Sequence, residues 1–131
     1  MAKREKVNIL IVDDKRANIF AIEHMLAKPD RNFIVATSGK EALKLVLNED
    51  ISLIILDVQM PDMDGLEATR IIRQQSAHQP VIIAVTANAM QDDKDVCTEA
   101  GMDDYISKPI QLEKLMLVLE KWASKKIEIT T

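Results

Sequence analysis

The stretch LIILDVQMPDMDG, Leu53 to Gly65, runs four apolar residues straight into an acid, Asp57. Two more acids, Asp62 and Asp64, follow around Pro61 and Gly65. An apolar run this continuous reads as a strand covered on both faces, because a strand with one wet face alternates. A carboxylate at the end of such a strand is costly unless something pairs with it. Either the strand simply stops at Asp57, or the acid is placed there to do chemistry.

The same pattern recurs outward in both directions. Besides ISLIILD (Ile51 to Asp57), strand candidates lie at VNILIVD (Val7 to Asp13), NFIVAT (Asn32 to Thr37), PVIIAVTA (Pro80 to Ala87) and DYISK (Asp104 to Lys108). The first, third and fourth in chain order are nearly continuous in Val, Ile and Leu, as in parallel sheets; the second is more polar, as suits an edge. Amphipathic stretches lie between them. One runs from about Lys15 to Lys28, with Ile19, Ile22, Met25 and Leu26 on one face, and stops at Pro29. The next opens at SGKE, where Ser38 can cap and Glu41 can complete a capping box, with Ala42, Leu45 and Val46 facing inward. A third starts near Gly65 and carries Ala68, Ile71 and Ile72. A fourth runs from about Ala89 to Ala100 and ends at Gly101, a residue suited to a left-handed cap. A fifth follows Pro109, with Leu112, Leu115, Met116, Leu119 and Trp122 at helical spacing. Leu117 falls off that face and is expected to be exposed beside the last strand.

Five alternating β-α units imply an α/β fold with helices on both faces of a parallel sheet. The expected architecture is a flavodoxin-like doubly wound (βα)5 with strand order 2-1-3-4-5 and a switch point between the first and third strands. At 131 residues the chain suits one domain, placed at residues 5–125 with a short tail over 126–131. Aromatic residues make up only 3%, so the core must be aliphatic. A net charge of −4 without a basic patch argues against direct nucleic-acid contact. The apolar runs are too short for a membrane span, and the charged start MAKREK lacks an export signal, so a cytoplasmic setting is expected. The one cysteine, Cys97, cannot form an internal disulfide and fits a reducing compartment.

In an open parallel sheet, ligands bind at the carboxyl ends of the strands beside the switch point. Asp13 and Asp14 end the first strand, Asp57 the third, Thr86 the fourth and Lys108 the fifth. Three converging carboxylates repel one another and raise each other's pKa. A hard divalent cation such as Mg²⁺ relieves that repulsion. Lys108 adds a positive charge, and the sum tolerates an incoming phosphoryl group. One carboxylate can then attack phosphorus while lysine and the cation stabilise its oxygens, and Thr86 can donate to one of them. Taken singly, these residues have plainer readings: Asp14 as a helix cap, Asp62 and Asp64 as loop and cap residues. His24 and His78 lack a second ligand at metal spacing, and Met25, Met90, Met102, Met116 and Cys97 read as core filler.

Asp13-Asp14, Asp57 within LDVQMPDMDG, Thr86-Ala87 and Lys108-Pro109 together resemble the receiver domain of two-component response regulators, over essentially the whole span. The resemblance implies that Asp57 is the phosphoacceptor, taking its phosphoryl group from a phosphohistidine. It implies that Asp14, Asp57 and the carbonyl of Gln59 bind Mg²⁺, with Asp13 acting mostly through water. Thr86 and Lys108 would contact the phosphoryl group, and Tyr105 would be the aromatic that turns inward on switching. Gln59 and Asn88 occupy positions that tune the lifetime of the aspartyl phosphate, and the Lys108–Pro109 peptide is expected to be cis. VTANAMQDD and AGMDDYISKPI resemble receivers of hybrid sensor kinases and phosphorelays more than those of DNA-binding regulators. The expected partner is therefore a histidine kinase or histidine phosphotransfer protein, docking near the first helix and the active-site loops. With no output domain in the chain, a stand-alone or an excised receiver is expected.

Other classes fit less well. An aspartate-nucleophile phosphatase of the haloacid dehalogenase kind wants an acid two residues after its nucleophile, where this chain has Gln59, or Lys15 after Asp13. A nucleotide or flavin binder needs a Gly- or Ser/Thr-rich phosphate loop after the first strand, and DDKRAN is acidic and lacks glycine. An interaction-only receiver would not need the full set of acids, threonine and lysine. The chain is expected to be a switching module, catalysing only its own phosphorylation and dephosphorylation, and not an enzyme.

Overall fold

The computed structural model describes residues 7–61, 63–75, 79–87 and 91–122. Five strands alternate with five helices: β1 Val7–Val12, α1 Arg16–Leu26, β2 Arg31–Ala36, α2 Gly39–Asn48, β3 Leu53–Asp57, α3 Gly65–Gln75, β4 Val81–Thr86, α4 Gln91–Ala100, β5 Asp104–Ser107 and α5 Leu112–Trp122. All strand pairs are parallel and the order is β2-β1-β3-β4-β5, as expected from the sequence.

The alternation of side chains along each strand divides the core in two. Leu10, Val12, Ile54, Leu56, Ile82 and Ala84 point to the face covered by α2, α3 and α4. Ile9, Ile11, Leu53, Ile55, Ile83 and Val85 point to the face covered by α1 and α5. β3 and β4 are buried along their whole length, which is why their sequences show no polar alternation.

Local signals set the helix ends. Ser38 Oγ accepts from the Glu41 N–H at 3.2 Å, while the Glu41 carboxylate accepts from the N–H of Thr37, one residue before the cap. Asp64 caps α3 by accepting from the Glu67 N–H at 2.9 Å. Gly101 closes α4 at φ +108, with the Gly101 and Met102 N–H groups donating to the carbonyls of Thr98 and Cys97 in the Schellman pattern.

Three expectations needed correction. α1 ends at Leu26, short of Lys28, because the backbone leaves the helical region at Ala27 ahead of Pro29. Leu112, expected to face inward, is 44% exposed, because it is the first residue of α5 and precedes the turn that packs through Leu115 and Leu119. The plainer reading of Asp14 as a helix cap is not met: Lys15 is the N-cap of α1, without a side-chain cap bond, and its N–H is accepted by Asp13. Leu117 is exposed, as expected, and lies with Lys94, Tyr105 and Ser107 along a shallow hollow beside β5. Asp62, His78, Asn88, Met90 and the tail lie outside the described residues.

At the sheet's amino end, Arg73 ties three elements together. Its guanidinium donates to the carbonyls of Gly101 and Pro80, each at 2.8 Å, and to Gln79 at 2.9 Å. It also pairs with Asp103 at 2.8 Å, and that same carboxylate oxygen accepts the Ile82 N–H. A Cβ on Gly101 would sit 2.8 Å from Arg73 Cγ, so glycine is needed there for space as well as for its positive φ. Removing one partner of a part-buried ion pair leaves the other uncompensated. Arg73→Ala is therefore expected to lose about 2–4 kcal/mol, read as a drop in Tm by thermal denaturation.

Candidate functional site

The parallel register places the acids. β1 lies between β2 and β3, so the ends of β1 and β3 stand side by side at the switch point. Asp13 follows β1 directly and Asp57 is the last residue of β3. Both are 2% exposed, whereas Asp14 is exposed to solvent. Each of the three can present a carboxylate oxygen to a common point, with those oxygens within 4.8 Å of one another. β4 and β5 bring the remaining groups. Thr86 pairs with Ser107 in register, and the Lys108 N–H donates to the Thr86 carbonyl at 2.8 Å, so the two are joined through backbone. Lys108 Nζ then reaches 3.4 Å from Asp57 Oδ2 and 4.0 Å from Asp13 Oδ2. The Lys108–Pro109 peptide is cis.

Asp57 is held from several sides. Its Oδ1 accepts the Gln59 N–H at 3.1 Å, which sets the exposed Gln59 backbone beside the carboxylate. The Val58 N–H donates to the Val85 carbonyl and the Gly65 N–H to the Val58 carbonyl, each at 3.0 Å. A Cβ on Gly65 would lie 2.5 Å from the Asp57 carbonyl oxygen, so only glycine lets α3 start directly on the peptide that carries the acid. Asp13 is held too: Oδ1 accepts the Lys15 N–H at 2.9 Å and Oδ2 accepts Asn18 Nδ2 at 3.1 Å.

The sequence-predicted set of Asp13, Asp14, Asp57, Thr86 and Lys108 thus gathers at one sheet edge. Tyr105 lies apart, half-buried on β5, with Lys94 Nζ 4.7 Å from its ring centroid. Cys97 is buried on α4, as expected. His24 is exposed on α1 and its ring sits 4.7 Å from that of Phe20. Sequence reasoning missed the parts played by Asn18 and Gly65. The only signal for Asn18 was a short amide in the first helical turn, five residues after Asp13. Gly65 was read as the start of the third helix, without its close approach to the Asp57 peptide.

Three acids against one lysine leave the cluster with a formal excess of two negative charges. Burial pushes the Asp57 pKa up, and the neighbouring Asp13 charge adds to the rise; the Gln59 N–H and Lys108 offset only part of it. The folded chain therefore binds the Asp57 proton more tightly than the unfolded chain. Stability falls as pH rises from the ordinary value of 3.8 through the raised one, and the cost is complete above it. Asp57→Asn is expected to raise the Tm of the cation-free protein at pH above the raised value. The gain, followed by thermal denaturation across pH, should vanish once both states are protonated.

Comparison with known proteins agrees with this geometry. A model of the response regulator receiver domain family matches residues 9–120. The hybrid signal transduction protein dokA of Dictyostelium discoideum is 41% identical over 119 residues, which cover 89% of this chain and 7% of that protein. The receiver domain of the sensor histidine kinase PA1611 from Pseudomonas aeruginosa PAO1, solved with a magnesium ion coordinated in its active-site cleft, superposes with a TM-score of 0.80. It is 36% identical, over 89% of this chain and 97% of that one. A Saccharomyces cerevisiae complex joins the histidine phosphotransfer protein Ypd1 to the receiver domain of the response regulator Ssk1. It matches with a TM-score of 0.82 and 28% identity, over 95% of this chain and 94% of that one. With the family matched over most of its length and the acid cluster at the expected sheet edge, this chain is a response regulator receiver domain of two-component signalling.

Proposed function

We propose that Asp57 is the phosphoacceptor of this receiver, taking a phosphoryl group from a phosphohistidine with Mg²⁺ as the cation and switching partner interactions in a phosphorelay. The observation that carries the reading is the convergence of Asp13, Asp14 and Asp57 within 4.8 Å, with Lys108 Nζ 3.4 Å from Asp57. The donor set is all oxygen and carries excess negative charge, which suits a hard divalent ion. Asp14, Asp57 and the Gln59 carbonyl would hold it, with Asp13 contributing through water. When bound, the ion would neutralise charge on the phosphoryl oxygens.

The chain's own groups do the rest. An Asp57 carboxylate oxygen forms the O–P bond as the P–N bond to the donor imidazole breaks, the bond pair staying with that nitrogen. Lys108 balances charge on a phosphoryl oxygen, and the Thr86 hydroxyl donates to another. Drawing Thr86 toward the phosphate vacates space into which Tyr105 turns. Hydrolysis of the aspartyl phosphate restores the starting carboxylate, so the chain acts on no substrate but itself. The absence, among the described residues, of a helix able to span a membrane and the single buried cysteine support a cytoplasmic setting. The expected donor is a histidine kinase or histidine phosphotransfer protein. Phe20, 65% exposed on the helix that starts beside Asp13, supports docking of that donor along α1.

Incubation with acetyl phosphate and Mg²⁺ should add one phosphoryl mass by mass spectrometry. Loss of that adduct in Asp57→Asn is expected; persistence sinks the assignment. Phe20→Ala should slow transfer from a phosphohistidine-bearing donor by roughly tenfold, as truncating an aromatic anchor does. Acetyl phosphate labelling should be unchanged in the same variant.

A further inference from the structure

We infer that Asn18 is a specificity-determining positioning residue: it fixes the Asp13 carboxylate as a second-sphere partner of the cation and so biases the site toward Mg²⁺ over Ca²⁺. The inference rests on the proposed cation site and concerns a residue outside the expected ligand set. Asp13 is almost fully buried, and both its oxygens already carry donors. Oδ1 accepts the Lys15 N–H at 2.9 Å and Oδ2 accepts the Asn18 amide at 3.1 Å. A carboxylate can only accept, so Asn18 presents its NH₂ group to it. Asn18 is itself anchored in the first turn of α1, where its N–H donates to the Lys15 carbonyl at 3.0 Å.

Turning Asp13 to bind a cation directly would break one of these bonds and strand a part-buried donor. Asp57 also meets a donor at each oxygen, the Gln59 N–H at Oδ1 and Lys108 Nζ at Oδ2, but the second is a flexible ammonium at 3.4 Å that can give way, and Asp14 is exposed. The arrangement therefore limits direct carboxylate ligands to two. That number suits Mg²⁺, which keeps several waters and takes one or two carboxylates in a tight octahedron. Ca²⁺ accepts six to eight oxygens at longer and looser distances, so a third free carboxylate favours it selectively.

The test is a double-mutant cycle on the full chain. Dissociation constants for Mg²⁺ and for Ca²⁺ are measured by amide chemical-shift titration in the unaltered protein, Asn18→Ala, Asp13→Asn and the double variant. Asn18→Leu, which keeps the bulk and loses the donor, serves as a second variant, and cation-free Tm is recorded for each. The ratio of the Ca²⁺ to the Mg²⁺ constant is expected to fall roughly fivefold in both Asn18 variants, and not to change further when Asn18→Ala is added to Asp13→Asn. A purely structural role for Asn18 would weaken both ions together or lower Tm with the ratio unchanged, and either result overturns the inference. An equal ratio change with and without the Asp13 carboxylate overturns it as well. Failure of the unaltered chain to bind either ion overturns the cation site itself, and this inference with it.

Discussion

Everything in this domain is arranged around the difficulty of holding carboxylates together out of water. A parallel sheet with β1 beside β3 brings Asp13 and Asp57 to the same edge, and burial makes both charges expensive. The surrounding hydrogen bonds answer that expense without abolishing it. The backbone N–H groups of Lys15 and Gln59, the amide of Asn18 and the ammonium of Lys108 each offer a donor to one of the two buried acids. Asp57 still carries a raised pKa. The edge is thus left short of positive charge, which is the condition a cation and a phosphoryl group can both use.

Backbone joins the same edge to the outer strand of the sheet. Lys108 and Thr86 are joined by a main-chain hydrogen bond where β4 and β5 lie in register. Tyr105 stands two residues before Ser107 on the same short strand, beside Lys94 of α4 and near the exposed Leu117 of α5. A group that pulls on Thr86 therefore acts on a strand whose other residues line the hollow between α4 and α5.

Much of this was legible in the sequence because apolar periodicity reports burial directly. The unbroken Leu53–Leu56 and Val81–Val85 runs announced strands covered twice, and the acids at strand ends could be placed once strand order was guessed. Leu117 was read correctly as exposed from its angle on the helix. Leu112 was misread because it shares that angle with Leu115 but sits on the first turn, where position along the axis decides burial. Asn18, Gly65 and Arg73 were opaque for a different reason. Each matters through one specific polar partner or through its lack of a side chain, and neither property leaves a period in the chain.

The Arg73 cluster has a mechanical consequence. It grips Gly101, at the carboxyl end of α4, together with the starts of β4 and β5. The opposite end of α4, at Gln91, follows the strand that carries Thr86. A rod held at one end gives way first at the other: the Arg73 grip makes Gly101 the fixed end of α4 and leaves the half that bears Lys94 without that anchor.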